Sequence, residues 1–348
     1  MPDHAAAFAP GRVNLIGEHT DYNGGLALPF AISDGVTVRG TALRSRRVEA
    51  RALDLNAEDS FPLRSPPPVS GWRAFVRGAV AELRRAGIEV RGARLEISST
   101  VRRGGGLSSS AALEVALTLA LIALSGAPEP DRLALAKLCS AIENEWVGAR
   151  TGLLDQIASL FGQPDSALRI DFRTLEVRTV ALELGGWRLV TLDSRERHSN
   201  AASGYNERRV ECARACELLG IASLREASLE MIRLLPAPLH RRARHVITEN
   251  DRVEATVAAL TAGRLAEVGP LLYASHASLR DDYEISTPAV DSAVARLREA
   301  GATGARIIGG GFGGHVLGLL PADATPPPQA LDVRPGPGAR VTDDDRRR

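Results

Sequence analysis

The chain has 348 residues, enough for roughly two domains, with 44% apolar and 24% charged residues and a formal net charge of +1. This near-neutral balance gives no support for a nucleic-acid or polyanion partner held by bulk electrostatics and leaves a small-molecule role open. The first residues, Met-Pro-Asp-His-Ala-Ala-Ala-Phe, lack the basic start and apolar core of a secretion signal, and the longest apolar stretch, Val115 to Leu124, is shorter than the about 20 residues of a membrane span, so a cytoplasmic protein with no membrane partner is expected.

The first informative stretch is "GRVNLIGEHTDYNGG", Gly11 to Gly25. Apolar runs on either side, Val13 to Ile16 and Leu26 to Ile32, read as two short strands, and Asn23-Gly24-Gly25 is a strong turn signal. A turn alone does not require Glu18, His19 and Asp21 within four positions, so the loop is read as a hydrogen-bonding or metal-binding site. Farther along, "TVRGTAL" and "RLEISSTV" read as strands, "FPLRSPPPVSG" as a Pro-rich loop, and "WRAFVRGAVAELRRAG" as an amphipathic helix ending at Gly87.

Next comes "GGGLSSSAALEVA", residues 104 to 116, where three glycines and three serines precede a run that is apolar on nearly every face. The run predicts a central buried helix, and a Gly-rich approach to a helix N-terminus is an anion site, because unpaired N–H groups and the positive dipole end meet there. One cap would need one serine, so the reading favours phosphate over a simple N-cap. A second helix is expected from about Pro130 to Val147 and holds Lys137, the chain's only lysine. A lysine at helical spacing supplies neither a Walker-A loop nor a protein-kinase strand lysine, which excludes both of those nucleotide-binding solutions.

The turn-rich "GQPDSALRIDFRT", residues 162 to 174, is taken as the domain boundary. Beyond it, "EVRTVAL" and "WRLVTLDS" read as strands, "SGYNERRVECARACELLG" as a long helix, and further helices run to Ala300. Cys212 and Cys216 are four apart on that long helix without a second ligand pair, so with Cys139 they are expected as free, mostly buried thiols. "GGGFGG", Gly309 to Gly314, superficially offers a dinucleotide fingerprint, but it leads into the strand-like "HVLGLLP" and is read as a strand–loop–strand turn. The end, "DDDRRR", is expected to fray.

Taken in order, the three glycine-bearing motifs resemble those of the GHMP small-molecule kinases, named for galactokinase, homoserine, mevalonate and phosphomevalonate kinases. "GRVNLIGEHTDYNGG" resembles the galactokinase signature over its whole length, and "GLLDQIASLFG", "SGYNERRVECA" and "SHASLRDDYEIS" extend the likeness over nearly the whole chain. The resemblance implies an α+β, two-lobed fold: a ribosomal-S5-like lobe over residues 1–163, a ferredoxin-like lobe over 164–348, and an active site in the cleft between them. It further implies phosphorylation of the anomeric hydroxyl of D-galactose by ATP with Mg²⁺, by a monomer with no nucleic-acid partner. The rivals are another kinase of the superfamily and a non-catalytic sugar sensor; the intact "GLSSSAALE" favours an enzyme.

By the same resemblance, Glu18, His19 and Asp21 hold sugar hydroxyls, with Tyr205 and the Gly152 backbone beside them. Asp155 stands next to the reacting hydroxyl, with Arg12 between it and the transferred phosphate. Gly104, Gly105, Gly106, Leu107, Ser108, Ser109, Ser110 and Trp72 contact the nucleotide, with Phe75 beside Trp72, and Ser110 and Glu143 reach the magnesium ion. Plainer alternatives stay open: Asp155 as a helix cap, Arg12 in a simple pair with Glu18, Trp72 as core packing, and Glu145 competing with Glu143. The chain departs from the family's usual residues at Arg102, Thr151, Ile308 and His315, and its tail after Pro321 is only weakly similar.

Overall fold

The computed structural model describes residues 2–64, 66–101, 106–149, 151–197 and 201–342. Strand β1 (His4–Asn14) leads through the polar motif to the short β2 (Leu26–Ala27) and then β3 (Pro29–Ala42), followed by the hairpin β4 (Arg47–Ala52) and β5 (Ala57–Pro62). The two strands flanking the motif are 11 and 14 residues long, longer than the short strands read from sequence. The reason is alanine: Ala5, Ala7 and Ala9 form the buried face of β1, a pattern too weak in β-propensity to read as strand. The ladder between β1 and β3 shifts register between Pro10 and Arg12, where a bulge re-aims side chains.

Helix α1 (Trp72–Arg85) turns Val76, Ala79, Val80 and Leu83 inward and stops just before Gly87, whose φ is +81°. After β6 (Ala93–Ser99) comes α2 (Ser109–Ser125), apolar on all sides because it lies between β1 and β3 and the helices α1, α3 (Arg132–Ile142) and α4 (Leu154–Phe161). Lys137 sits on the exposed face of α3.

The stretch 162–174 carries β7 (Ser166–Asp171), because Ala167, Leu168 and Ile170 are buried; β7 pairs with β2 on one side and β8 (Glu176–Ala181) on the other. Then come β9 (Trp187–Arg197), α5 (Ala201–Leu219), the long α6 (Leu239–Thr261), α7 (Val268–Asp281) and α8 (Pro288–Glu299). Strands β10 (Gly304–Ile307) and β11 (Gly313–Pro321) flank the glycine turn as expected, and β12 (Leu331–Val333) closes a sheet of order β10-β11-β9-β12 against α7 and α8. The tail forms β13 (Arg340–Thr342), the edge of the first sheet, whose order is β13-β1-β3-β6-β4-β5. Residues 343–348, expected to fray, lie outside the described residues. Among the described residues no helix is long and apolar enough to cross a membrane.

Candidate active site

The polar motif is fixed first by its own backbone. Thr20 Oγ donates to Gly17 O (2.9 Å) and is 2.7 Å from Leu26 O, and Asn23 Nδ2 donates to His19 O at 2.8 Å. Gly24 takes φ +64° to close the turn. Helix α6 then holds the loop from behind. Gly17 N donates to Glu249 Oε1 (2.9 Å), Leu26 N donates to Asn250 Oδ1 (2.8 Å), and His245 Nε2 lies 3.1 Å from Glu18 O. Buried backbone groups that water cannot reach are thereby paired, and Glu18, His19 and Asp21 are left facing forward.

They face a cavity of about 320 Å³ that Arg12, Gly152, Asp155, Tyr205 and the Gly309–Gly311 turn also line. All seven residues assigned to sugar binding or catalysis therefore meet in one place. Arg12 Nε donates to Asp155 Oδ1 at 2.7 Å, Arg12 Nη1 reaches Gly106 O, and Ser108 Oγ donates to Asp155 Oδ2. Asp155 lies in the first turn of α4 without capping it, and Arg12 pairs with it, not with Glu18. Glu18 Oε1 instead accepts from Gly309 N (2.8 Å) and lies 3.5 Å from Arg306 Nη2.

The electrostatics divide the site. Burial pushes the Asp21 carboxyl up to about 6, with Asp155 and Glu18 adding repulsion. Burial drives His19 down to about 3, with His245 adding to it, so the imidazole is neutral at pH 7. Burial works against the Arg12 charge, but Asp155 and Glu18 outweigh it and hold the guanidinium above its ordinary value. Tyr205 is raised well above 10 by burial and the Asp21 charge, and keeps its hydroxyl proton.

The glycine-serine loop adjoins this cavity. Gly106 and Ser108 take φ of +68° and +61°, and Ser108 occupies the N-cap position of α2 while its hydroxyl turns to Asp155 instead of capping. Leu107 O accepts from Arg12 N at 3.1 Å, and a Cβ on Gly11 would lie 2.5 Å from the same oxygen, so loop and strand pack backbone to backbone. Gly104, Gly105 and Arg102 lie outside the described residues. Ser109 and Ser110 open α2 and line a second cavity of about 350 Å³ with Trp72, Phe75, Leu55, Ile97 and Leu113. Trp72 is thus both packed on the core and part of a cavity wall.

Glu143 is buried and Glu145 exposed. Glu143 accepts from Thr151 Oγ (2.7 Å), Gln156 Nε2 (3.2 Å) and Ser110, and burial raises its carboxyl, with Asp155 adding repulsion. Thr151 therefore uses its hydroxyl to hold that carboxylate. A serine hydroxyl and one carboxylate are hard oxygen donors, the kind of small protein contribution that suits Mg²⁺ on nucleotide phosphates.

Sequence reasoning missed Arg306, fully buried, whose Nη1 donates to Asn14 O (2.9 Å), and the tyrosines Tyr22 and Tyr283 behind His19. A lone arginine in the apolar "GARII" was the available signal for the first.

Residues 2–41 match the galactokinase galactose-binding signature, 74–163 the GHMP kinases N-terminal domain, and 256–331 the GHMP kinases C-terminal domain. A galactokinase of Mycobacterium tuberculosis (strain H37Rv) is 46% identical over 322 residues, covering 90% of this chain and 88% of the relative. One of Roseiflexus sp. (strain RS-1) is 43% identical over 333 residues, covering 91% and 83%. The crystal structure of Lactococcus lactis galactokinase complexed with galactose superposes with a TM-score of 0.91 at 32% identity, over 97% of this chain and 95% of that one. The mevalonate kinase of Methanococcus jannaschii, with a TM-score of 0.71 and 19% identity over 96% and 99% of the two chains, shares the fold. The chain belongs to the galactokinase family of the GHMP kinases.

Proposed function

We propose that the protein transfers the γ-phosphoryl group of ATP to the anomeric hydroxyl of D-galactose, giving galactose 1-phosphate and ADP. The observation that carries this reading is the meeting of Glu18, His19 and Asp21 with the Arg12–Asp155 pair in one cavity beside the N-terminus of α2. Carboxylates and an imidazole suit a polyhydroxyl ligand, because each carboxylate accepts from two or more hydroxyls.

In this reading the sugar lies between Asp21 and Asp155, with its anomeric hydroxyl toward Asp155 Oδ2. Ser108 hands that oxygen over to the substrate, and Asp155 then accepts the hydroxyl proton. Arg12 favours the ionised carboxylate and offsets charge on the moving phosphoryl group. Backbone N–H groups at the start of α2 hold the phosphates and the Trp72–Phe75 cavity takes the base, so that catalysis is mainly positioning and electrostatics. Mg²⁺ held by Ser110 and Glu143 supplies charge neutralisation on the phosphates when bound. We place the lobe division near residue 163, with the tail crossing back as β13, and the enzyme in the cytoplasm as a monomer.

The test is an ADP-release assay with ATP, Mg²⁺ and a panel of sugars, with the product located by ³¹P NMR. Galactose phosphorylated at its anomeric oxygen is expected. Turnover of a different sugar in preference to galactose, or phosphate on another oxygen, overturns the reading.

A further inference from the structure

Behind the sugar-facing side of His19 runs a chain of buried hydrogen-bonding groups that the proposed chemistry does not use. His19 Nδ1 lies 2.8 Å from Tyr22 Oη, Tyr22 Oη lies 2.9 Å from Tyr283 Oη, and Tyr283 Oη lies 3.1 Å from Cys212 Sγ. The chain joins the opening motif to the end of α7 and to the middle of α5. Tyr283 is wholly buried, and its ring also contacts the His19 ring (centroids 4.8 Å apart) and the His245 ring (4.5 Å). His245 in turn bonds the Glu18 carbonyl, so Tyr283 touches the supports of two neighbouring sugar-facing residues.

At the other end, His19 Nε2 is buried with no side-chain partner among the described residues, the imidazole is bonded to the Gly310 backbone, and His19 lines the candidate cavity. A neutral imidazole carries one N–H, so whether Nε2 donates or accepts is settled by what Nδ1 does with Tyr22. With all three links made and each tyrosine proton kept within the chain, the links run in one direction. The far end of the chain therefore bears on which proton His19 shows to a sugar hydroxyl. A well-packed core needs the Tyr283 ring; it does not need a polar chain that terminates on the one imidazole facing the ligand.

We propose that Tyr283 is a positioning residue for sugar recognition, acting through Tyr22 to fix the ring and tautomer of His19. It touches neither substrate. Its loss leaves Tyr22 Oη and Cys212 Sγ without their shared partner and frees His19 to turn or to switch its proton. The role rests on the galactose reading above and names a determinant of its sugar site.

Tyr283→Phe keeps the ring and removes the middle link. Its KM for galactose is expected to rise roughly tenfold, the scale of one buried hydrogen bond left incomplete, with kcat and the KM for ATP within about twofold of wild type. Cys212→Ser, which keeps a hydrogen-bonding group at the end of the chain, is expected to stay near wild type. If Tyr283→Phe fails to fold, Tyr22→Phe breaks the link nearest the imidazole, with the same rise in galactose KM expected. A galactose KM within twofold of wild type in a folded variant overturns the proposal. So does a parallel change in both KM values and kcat, which marks a general packing role. A wild type that phosphorylates no galactose overturns the functional reading and this role with it, whereas an active wild type beside an unmoved variant overturns only the role of Tyr283.

Discussion

Gly152 and Asp21, neighbours in the wall of one cavity, meet so closely that a Cβ on Gly152 would fall 2.7 Å from Asp21 Cγ and 3.2 Å from its Cβ. Gly152 is not in the left-handed region, so an alanine there acts through its methyl group alone and not through backbone strain. Gly152→Ala is expected to push the carboxylate off its position and raise the galactose KM roughly tenfold or more, while nucleotide binding stays near wild type. Steady-state kinetics with each substrate varied in turn separates the two effects; equal losses for galactose and ATP would contradict the close fit as the cause.

Asp155 is held by Arg12 on one oxygen and Ser108 on the other. Asp155→Asn keeps the shape and removes both the proton acceptor and the charge, so kcat should fall by roughly 10² or more, with galactose binding changed much less. Near-normal turnover in a coupled assay, or loss of turnover matched by loss of galactose binding in calorimetry, would rule out the assigned role.

The candidate site residues stood out in the sequence because their types are wrong for their surroundings. Glu18, His19 and Asp21 crowd a turn that asks only for Asn and Gly, and three serines crowd a helix start that needs one. What sequence could not supply was partnership. Arg12 could have paired with Glu18 or with Asp155, 143 positions away, and only the packing of α4 against β1 chooses. Likewise Glu143 and Glu145 differ only in which way the last turn of the second helix faces. Strand β1 escaped full reading because its buried face is alanine, and β7 because short runs of Ala, Leu and Ile between turn residues carry little periodicity. The supports on α6, His245, Glu249 and Asn250, bond backbone groups of the motif from more than 200 positions away, which no local pattern encodes.

The Asp21 carboxyl titrates near 6 because it is buried among carboxylates. Its folded value lies above its unfolded one, so its contribution to stability is fully present below about pH 4 and is lost as pH rises through about 6. Ionised Asp21 therefore costs stability at neutral pH. Asp21→Asn should raise the midpoint of thermal unfolding at pH 7.5, a gain of roughly 1 to 3 kcal/mol, and do little at pH 4. In wild type, kcat/KM for galactose should fall as pH drops through about 6. A variant destabilised at pH 7.5, or a wild-type profile flat from pH 7.5 to 5, would contradict this.

Ser110, in the first turn of α2, bonds Glu143, and Thr151 and Gln156 also fix the carboxylate. Glu143→Gln preserves shape and removes the charge, so the Mg²⁺ concentration for half-maximal activity should rise roughly tenfold or more, with galactose binding in the absence of metal unchanged. An unaltered magnesium titration would remove Glu143 from the metal site.

Galactose and glucose differ only in the direction of the C4 hydroxyl, so discrimination must come from a polar group aimed there, and Asp21 beside Tyr205 is the candidate. A site built to hydrogen-bond a hydroxyl rejects a mismatched analogue by ~10⁴, because its own polar groups are then left unpaired. The deciding measurement is kcat/KM for both sugars with wild type and Asp21→Ala. Wild type should strongly prefer galactose, and Asp21→Ala should lose galactose activity along with most of that preference. Comparable phosphorylation of glucose by wild type, or full activity and selectivity in Asp21→Ala, would contradict the assignment of the Glu18-His19-Asp21 loop as the sugar-recognition site.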